Sequence, residues 1–266
     1  MSEGELALLV ASLVAATVTW SQWYRDALYA ARRCSGIDVR WPLVVVPVLC
    51  GVLLLEILRR FSSFDVRDSV FWTFYYMAVG AGWVGGGTKL LPFFGLSARD
   101  DVAERGNGAA AVALAGFLIG LTLCFAGANI GDGPGWWVVI FSALLSSGAL
   151  LALWRWIAQS GAADTITIDR DPSAGWRAAG FFVGAGALLG RSVAGDWVSA
   201  VATVRDFVLR GWPVLILALV AVWLERRLRP TPEAVTRPLI SHGILPSLLF
   251  AAAGALAVIR LGWWER

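Results

Sequence analysis

The chain contains an internal repeat, because residues 104–120 and 168–184 share one pattern of small and aromatic side chains. At a constant offset of 64, the matched pairs are Ala110 with Ala174, Ala115 with Ala179, Gly116 with Gly180, Phe117 with Phe181, and Gly120 with Gly184. At the same offset, Gly131 and Asp132 match Gly195 and Asp196, and at an offset of 76 Gly135 and Trp136 match Gly211 and Trp212. Each copy therefore holds two apolar segments. Repeats in apolar chains are typical of transporters and channels, which bind solutes between the repeats.

The composition indicates a membrane protein. The chain is 58% apolar and 15% charged, whereas ordinary soluble domains are about 45–50% apolar and about 25% charged. Its apolar runs reach the roughly 20 residues that a helix needs to cross a bilayer. Basic residues are spread along the chain without a basic run, so we expect a lipid bilayer and no nucleic acid as partner.

We predict an all-α polytopic membrane protein with about eight transmembrane helices and a central parallel pseudo-repeat of two helical hairpins. The predicted spans are 6–22, 42–58, 69–91, 108–128, 136–157, 175–191, 212–226 and 242–262. Three helices occupy 1–98, the first two-helix repeat 99–162, the second repeat 163–229, and a last helix 230–266. Two spans per copy return the chain to the side where it started, so the copies should be parallel.

The charges of the connections predict the orientation. Lys and Arg are more frequent after the first, third, fifth and seventh predicted spans than on the opposite side. The positive-inside rule places the richer side in the cytoplasm, so both termini, Asp132 and Asp196 are expected outside.

An amphipathic segment, 193–210, is inserted in the second copy. Its apolar positions recur at helical spacing, and the opposite face is polar. The apolar positions are Val193, Trp197, Val201, Val204 and Val208, and the polar ones are Asp196, Ser199, Thr203, Asp206 and Arg210. Three interpretations remain open, namely a helix in the membrane interface, a helix lining a polar cavity, and a ninth span.

Asp132 and Asp196 are the candidate ion or solute contacts, because they occupy equivalent positions of the two copies. The alternative is that each caps the helix that follows it, since an Asp before a helix accepts its first backbone N–H groups. The sequence has no nucleophile–base pair, metal-ligand spacing or paired catalytic carboxylates. We therefore expect no enzyme, no cofactor and no metal site.

Four glycines are candidate helix-packing residues, since small residues four apart allow two membrane helices to approach closely. They are Gly116 and Gly120 in the first copy and Gly180 and Gly184 in the second. Their recurrence predicts an interface between the repeats.

The first copy, residues 104–120, followed by a degenerate second copy, resembles the YjfL-like family of uncharacterised bacterial membrane proteins. The resemblance covers roughly residues 100–228 and implies two tandem helical hairpins in a bacterial inner membrane. The family brings no catalytic residues. This chain departs from the bare unit by three spans before it and one after it. The second copy also has Asp171 where the first has Asn107.

Two function classes remain open from the sequence. A channel or carrier for a small ion or polar solute is favoured by the repeat, the amphipathic insertion and the paired aspartates. A non-catalytic membrane scaffold, or a subunit of a membrane complex, is favoured by the small-residue faces and by the scarcity of charge deep in most spans. Its partners would be other membrane proteins or further copies of the chain.

Overall fold

The computed structural model describes residues 1–33, 41–230 and 238–261, and these residues are helical without a β-strand. The helices are α1 Glu3–Arg33, α2 Trp41–Phe61, α3 Phe64–Arg67, α4 Val70–Thr88, α5 Gly108–Ala128, α6 Trp136–Ile157, α7 Ala163–Thr167, α8 Pro172–Val193, α9 Ala200–Gly211, α10 Pro213–Leu228 and α11 Leu245–Leu261. Short π-helical turns at Ala98–Glu104, Ala158–Ala162 and Ile240–Ile244 join some of them.

Five helices in the described part of the chain are long and apolar enough to cross a membrane. They begin at Glu3, Trp41, Gly108, Trp136 and Ile240. A sixth span results if α9 and α10, which meet at 45°, are counted as one. Glycines lower the hydropathy of α4 and α8, and α8 also contains two arginines. The chain is thus an all-helical protein with several candidate membrane spans.

Contacts between neighbouring helices fix their directions. α5 and α8 are parallel, because Gly116 lies against Ala179 and Gly127 lies against Gly190. α8 and α11 are parallel as well, since Gly180 and Gly184 lie against Ser247 and Phe250. At one end of the bundle Gly4 of α1 lies against Trp136 of α6, and Ser62 pairs with Gly131 of the link 129–135; we call this the Asp132 end. The opposite end, where α8 begins, is the Arg177 end.

Four parallel helices, α2, α5, α8 and α11, pack side by side. α5 and α8 are the central helices, and most residues of each are buried. α4, α6 and α10 run in the opposite direction and pack against α5 or α8. Because α5 and α8 are covered on several sides, their small residues and their phenylalanines lie in the core, while apolar side chains of α1, α2, α10 and α11 remain exposed.

Local geometry recurs at positions 64 residues apart. Asn107 caps α5 by accepting the N–H groups of Ala109 and Ala110, and Asp171 caps α8 in the same way with Ser173 and Ala174. The substitution of Asn107 by Asp171 between the copies therefore preserves the cap, because both side chains provide an acceptor oxygen.

The residue before each cap has a left-handed backbone. Gly106 has φ of 64° and Arg170 has φ of 54°, and Arg170 is the one non-glycine with positive φ in the described chain. A side chain at positive φ is strained, so a surrounding turn must hold Arg170 there. The sequences of the two copies differ at this position, but their backbone path is the same.

Candidate functional site

The two sequence-predicted aspartates meet at the Asp132 end. The Asp132 N–H donates to the Asp196 Oδ1 at 2.8 Å, and the Trp197 N–H donates to the Asp132 carbonyl at 2.7 Å. The Gly195 N–H also donates to the Ile130 carbonyl at 2.9 Å. The two equivalent links are therefore joined directly by their backbones, and both aspartate side chains are exposed.

The capping hypothesis is wrong for both aspartates. α6 has Gly135 at its N-cap without a side-chain hydrogen bond, and α9 is capped by Ser199, whose Oγ accepts the Ala202 N–H. Asp132 and Asp196 lie three residues before these caps, too far to reach the first turns. Asp196 instead accepts a backbone N–H of the other copy.

A small cavity of about 50 Å³ lies beneath the joined links. Tyr76, Asn129, Ser142 and Thr203 contribute polar groups to its wall, beside Asp132. Its volume holds a few water molecules, since a water needs roughly 10–15 Å³ of such space. Asp132 thus lines this polar cavity, while Asp196 lines the neighbouring groove beside Asp206 and Arg210.

The four candidate packing glycines contact two different helices. Gly116 and Gly120 of α5 lie against the backbone of α8 at Ala179 and Phe182, with no room for a Cβ. Gly180 and Gly184 of α8 lie against α11, at Ser247 and Phe250. The equivalent glycines therefore do not face each other.

A second set of glycines on α8 completes the contact with α5. Gly175, Gly186 and Gly190 lie against the backbone of α5 at Ala109, Gly120 and Leu123. α8 thus has one glycine face for α5 and another for α11. Backbone contacts recur along both helices, and beside them Phe117 of α5 packs edge to face on Phe182 of α8, with ring centroids 5.3 Å apart.

Three hydroxyl groups of α5 and α6 are hydrogen-bonded to the protein, whereas the buried hydroxyls of Tyr75 and Ser173 have no hydrogen-bond partner among the described residues. Thr122 Oγ1 donates to the Leu118 carbonyl at 2.7 Å, and Ser146 Oγ donates to the Ser142 carbonyl at 2.9 Å. Ser147 Oγ accepts the Trp83 Nε1–H at 3.1 Å. These groups are engaged with the protein and do not form a row of open sites for a polar solute.

Only the second part of the inserted segment forms a helix of its own, α9, because Val193 is the buried last residue of α8 and residues 194–199 are a non-helical link. The apolar side chains of this link and of α9 are largely exposed. Val198, Val201 and Leu209 have exposed fractions of 80%, 79% and 61%. On the other face, Asp206 and Arg210 form an ion pair at 3.4 Å beside a groove of about 190 Å³. α9 has 12 residues, so it is about 18 Å long and cannot by itself cross a hydrocarbon core of about 30 Å. The ninth-span interpretation is therefore wrong.

A buried ion cluster lies at the Arg177 end and was not predicted. Arg177 Nη2 lies 2.8 Å from Glu225 Oε2 and 3.8 Å from Asp171 Oδ2, and Arg177 Nη1 donates to the His242 carbonyl at 2.9 Å. The side chains of Arg177, Glu225 and Asp171 are all less than 9% exposed. One guanidinium therefore connects α8, α10 and the turn before α11.

The repeat contained a signal for this cluster. Position 113 of the first copy, equivalent to Arg177, is Ala, and position 149, equivalent to Glu225, is also Ala. Opposite charges that appear in one copy only, at positions that face the interior, favour a pair. Both residues lie near the ends of predicted spans, where a charged side chain has little energetic cost. Their positions therefore did not indicate a buried ion pair.

A second ion pair lies at the surface of the bundle. Glu56 pairs with Arg60 at 2.9 Å, with both side chains at least half exposed. The part of the chain that the structure describes has no group of three or more His, Cys, Asp or Glu side chains placed to bind a metal ion.

Neither a protein-family model, nor a curated protein, nor a solved structure matches the chain.

Proposed function

We propose that the protein is a non-catalytic integral membrane scaffold or a subunit of a membrane complex. The observation that carries this proposal is the contact between α5 and α8, where Gly116, Gly120 and Gly127 bring the two backbones together. Transport sites in repeat proteins lie between the repeats at mid-membrane depth. In this chain that position is filled by backbone, which favours a rigid structural unit over a solute path.

All eight long helices, α1, α2, α4, α5, α6, α8, α10 and α11, are proposed to cross the bilayer. α4 and α8 are not among the five candidate spans, but they pack closely beside α1 and α5. Their buried glycines and arginines face protein, where a polar group is tolerated at membrane depth. The exposed apolar face of α9 is proposed to lie in the interface.

Membership of the YjfL-like family is proposed on the repeat itself. The recurring caps at Asn107 and Asp171 and the recurring positive φ at Gly106 and Arg170 support a common origin of the two hairpins. We propose a bacterial inner membrane as the location, with both termini and the Asp132 end outside.

Isolation of the chain at its natural abundance, in lipid nanodiscs, tests the scaffold proposal. The total mass of the extracted particle should exceed one copy, either by further copies of the chain or by a membrane protein at fixed stoichiometry. A crosslinker applied before extraction should give the same composition. A particle of one copy, with and without crosslinker, would contradict the proposal.

A channel or carrier is the second candidate, and the Arg177 cluster favours it. Two carboxylates share one guanidinium, and no hydrogen bond to Glu225 Oε1 occurs among the described residues. A buried carboxylate oxygen in this state is an acceptor for a proton or a cation. If the wild type carries ions, Glu225→Gln should reduce the flux. The double substitution Asp132→Asn and Asp196→Asn tests whether these two aspartates attract the ions at the Asp132 end.

A further inference from the structure

An apolar groove of about 220 Å³ lies between α1 and α2. It is near the middle of α2, and α4 and α5 form its back wall. Pro47, Val48 and Gly51 line it from α2, while Gly80 of α4 and Thr122 of α5 are buried at its base. Neither the proposed scaffold role nor the ion cluster involves this groove.

The groove follows from two residues of α2. Pro47 has no N–H, so the Leu43 carbonyl lacks its partner within the helix, and the indole of Trp23 donates to it at 2.8 Å. This bond ties α1 to α2 near the Arg177 end. One turn beyond Pro47, a Cβ at Gly51 would meet nothing within 4 Å, so space remains between the helices.

The wall of the groove offers hydrocarbon and no charge. The Trp20 indole donates to the Ala81 carbonyl at 2.9 Å, and the Thr122 hydroxyl donates to its own helix. The Tyr24 hydroxyl is directed to the Val44 carbonyl at 3.5 Å. Since the polar tips are turned to backbone carbonyls, the groove suits an apolar chain without a headgroup.

We propose that this groove binds one acyl chain of a bilayer phospholipid. Val48 at its border is 59% exposed, on the α2 face where Leu49 and Val52 are also exposed. α2 is a candidate span, so this face contacts the hydrocarbon of the membrane. Water does not fill an apolar cavity readily, and acyl chains are the apolar molecules present at this depth. The site is independent of any partner protein.

The test uses the full chain in vesicles of phosphatidylethanolamine and phosphatidylglycerol that contain a phospholipid with a diazirine in mid-chain. After illumination, adducts are mapped by peptide mass spectrometry. We expect adducts at Met77, which lines the groove, beside the general labelling of exposed Leu248 and Leu249 on α11. Gly51→Phe should abolish labelling at Met77 and leave labelling on α11 unchanged.

Matched variants distinguish a groove that is blocked to lipid from a protein that has not folded. Gly51→Ala should retain labelling at Met77, because it changes the helix but does not fill the groove. Gly148→Phe should also retain it, since Gly148 lies on α6 with open space around it. Val48→Phe at the mouth should reduce labelling, and it replaces Gly51→Phe if that variant does not fold.

Two results would overturn the proposal. One is equal labelling of Met77 in the wild type and in folded Gly51→Phe or Val48→Phe. The other is labelling of Met77 by an isoprenoid diazirine added to the vesicles but not by the phospholipid probe, which would assign the groove to an isoprenoid chain. Neither result depends on whether the protein is a scaffold.

Discussion

Arg177 of α8 and Glu225 of α10 form a buried ion pair, with 2.8 Å between Nη2 and Oε2. The same guanidinium binds the His242 carbonyl, so three helical elements meet on one side chain. The equivalent positions of the first copy hold Ala113 and Ala149. The pair therefore has no counterpart at those positions, and it lies where the turn before α11 meets α8 and α10.

Removal of Arg177 alone should destabilise the protein strongly. Arg177→Met leaves Glu225 charged and buried, and the free energy of unfolding should fall by about 3–5 kcal/mol. Arg177→Met combined with Glu225→Met should recover most of this loss, since apolar pairs often replace buried ion pairs without cost. Denaturation in mixed micelles measures both changes.

The exposed pair of Glu56 and Arg60 is the control for the substitutions of Arg177 and Glu225. Arg60→Met should cost less than about 1 kcal/mol, because water screens the pair. If Arg177→Met were as stable as Arg60→Met, the three-element contact would have no structural role.

The contact between α5 and α8 should not accept a methyl group. Gly120→Ala places its Cβ against the Phe182 carbonyl oxygen, so the helices must separate. We expect a loss of about 1–3 kcal/mol in the free energy of unfolding, which is typical of overpacking. Gly148→Ala, on an open face of α6, is the matched control and should change stability by less than about 1 kcal/mol. Equal stabilities would contradict the close backbone contact.

The pH dependence of stability should reflect Asp101, which lies in the turn between α4 and α5. Burial raises the pKa of this carboxyl above its ordinary value of 3.8, although the Ser97 N–H and Arg105 oppose the shift. The folded protein therefore binds a proton more tightly than the unfolded chain. Its contribution is favourable at low pH and is lost as the pH rises from 3.8 through the raised pKa.

Asp101→Asn removes that dependence while keeping an acceptor oxygen for Ser97. The melting temperature of the wild type relative to Asp101→Asn should fall as the pH rises through this range. A constant difference across the range would show that Asp101 has the same pKa in both states.

The proposed orientation predicts labelling of opposite ends. In a chain without native cysteines, Gly133→Cys at the Asp132 end should react with an impermeant thiol reagent added to intact cells. Asp100→Cys at the Arg177 end should react only after the cells are opened. The reverse pattern would invert the topology and place both termini in the cytoplasm. Position 236, a further test site suggested by the sequence, lies outside the described residues.

The helices were predictable because apolar runs and turn residues are local signals. Which helices pack against each other was not predictable in the same way. The pattern of Gly180 and Gly184 identifies a face on which two backbones approach, but it contains no information about the helix that fills this face. That helix is α11, whose sequence shows no matching pattern of two glycines four residues apart.

The polar sites also differ in how far the sequence predicted them. Asp132 and Asp196 were found through the repeat, and they do lie together. Their bonding differs from a cap because the two links run side by side, which places the Asp132 N–H within reach of Asp196. Arg177 and Glu225 are 48 residues apart; their absence from the first copy favours a pair, and the packing of α10 on α8 shows it.

Ion flux across vesicles tests the central claim most directly, namely that the two repeats enclose no solute path. Purified wild-type chain, reconstituted in phosphatidylethanolamine and phosphatidylglycerol vesicles, is compared with empty vesicles for fluxes of H⁺, K⁺, Na⁺ and Cl⁻ at several voltages. Folding in the vesicles is checked by the thermal melt of the same sample. We expect fluxes equal to those of empty vesicles. A saturable or voltage-dependent flux that Glu225→Gln reduces, in protein that is equally well folded, would contradict the scaffold account and establish a transport function.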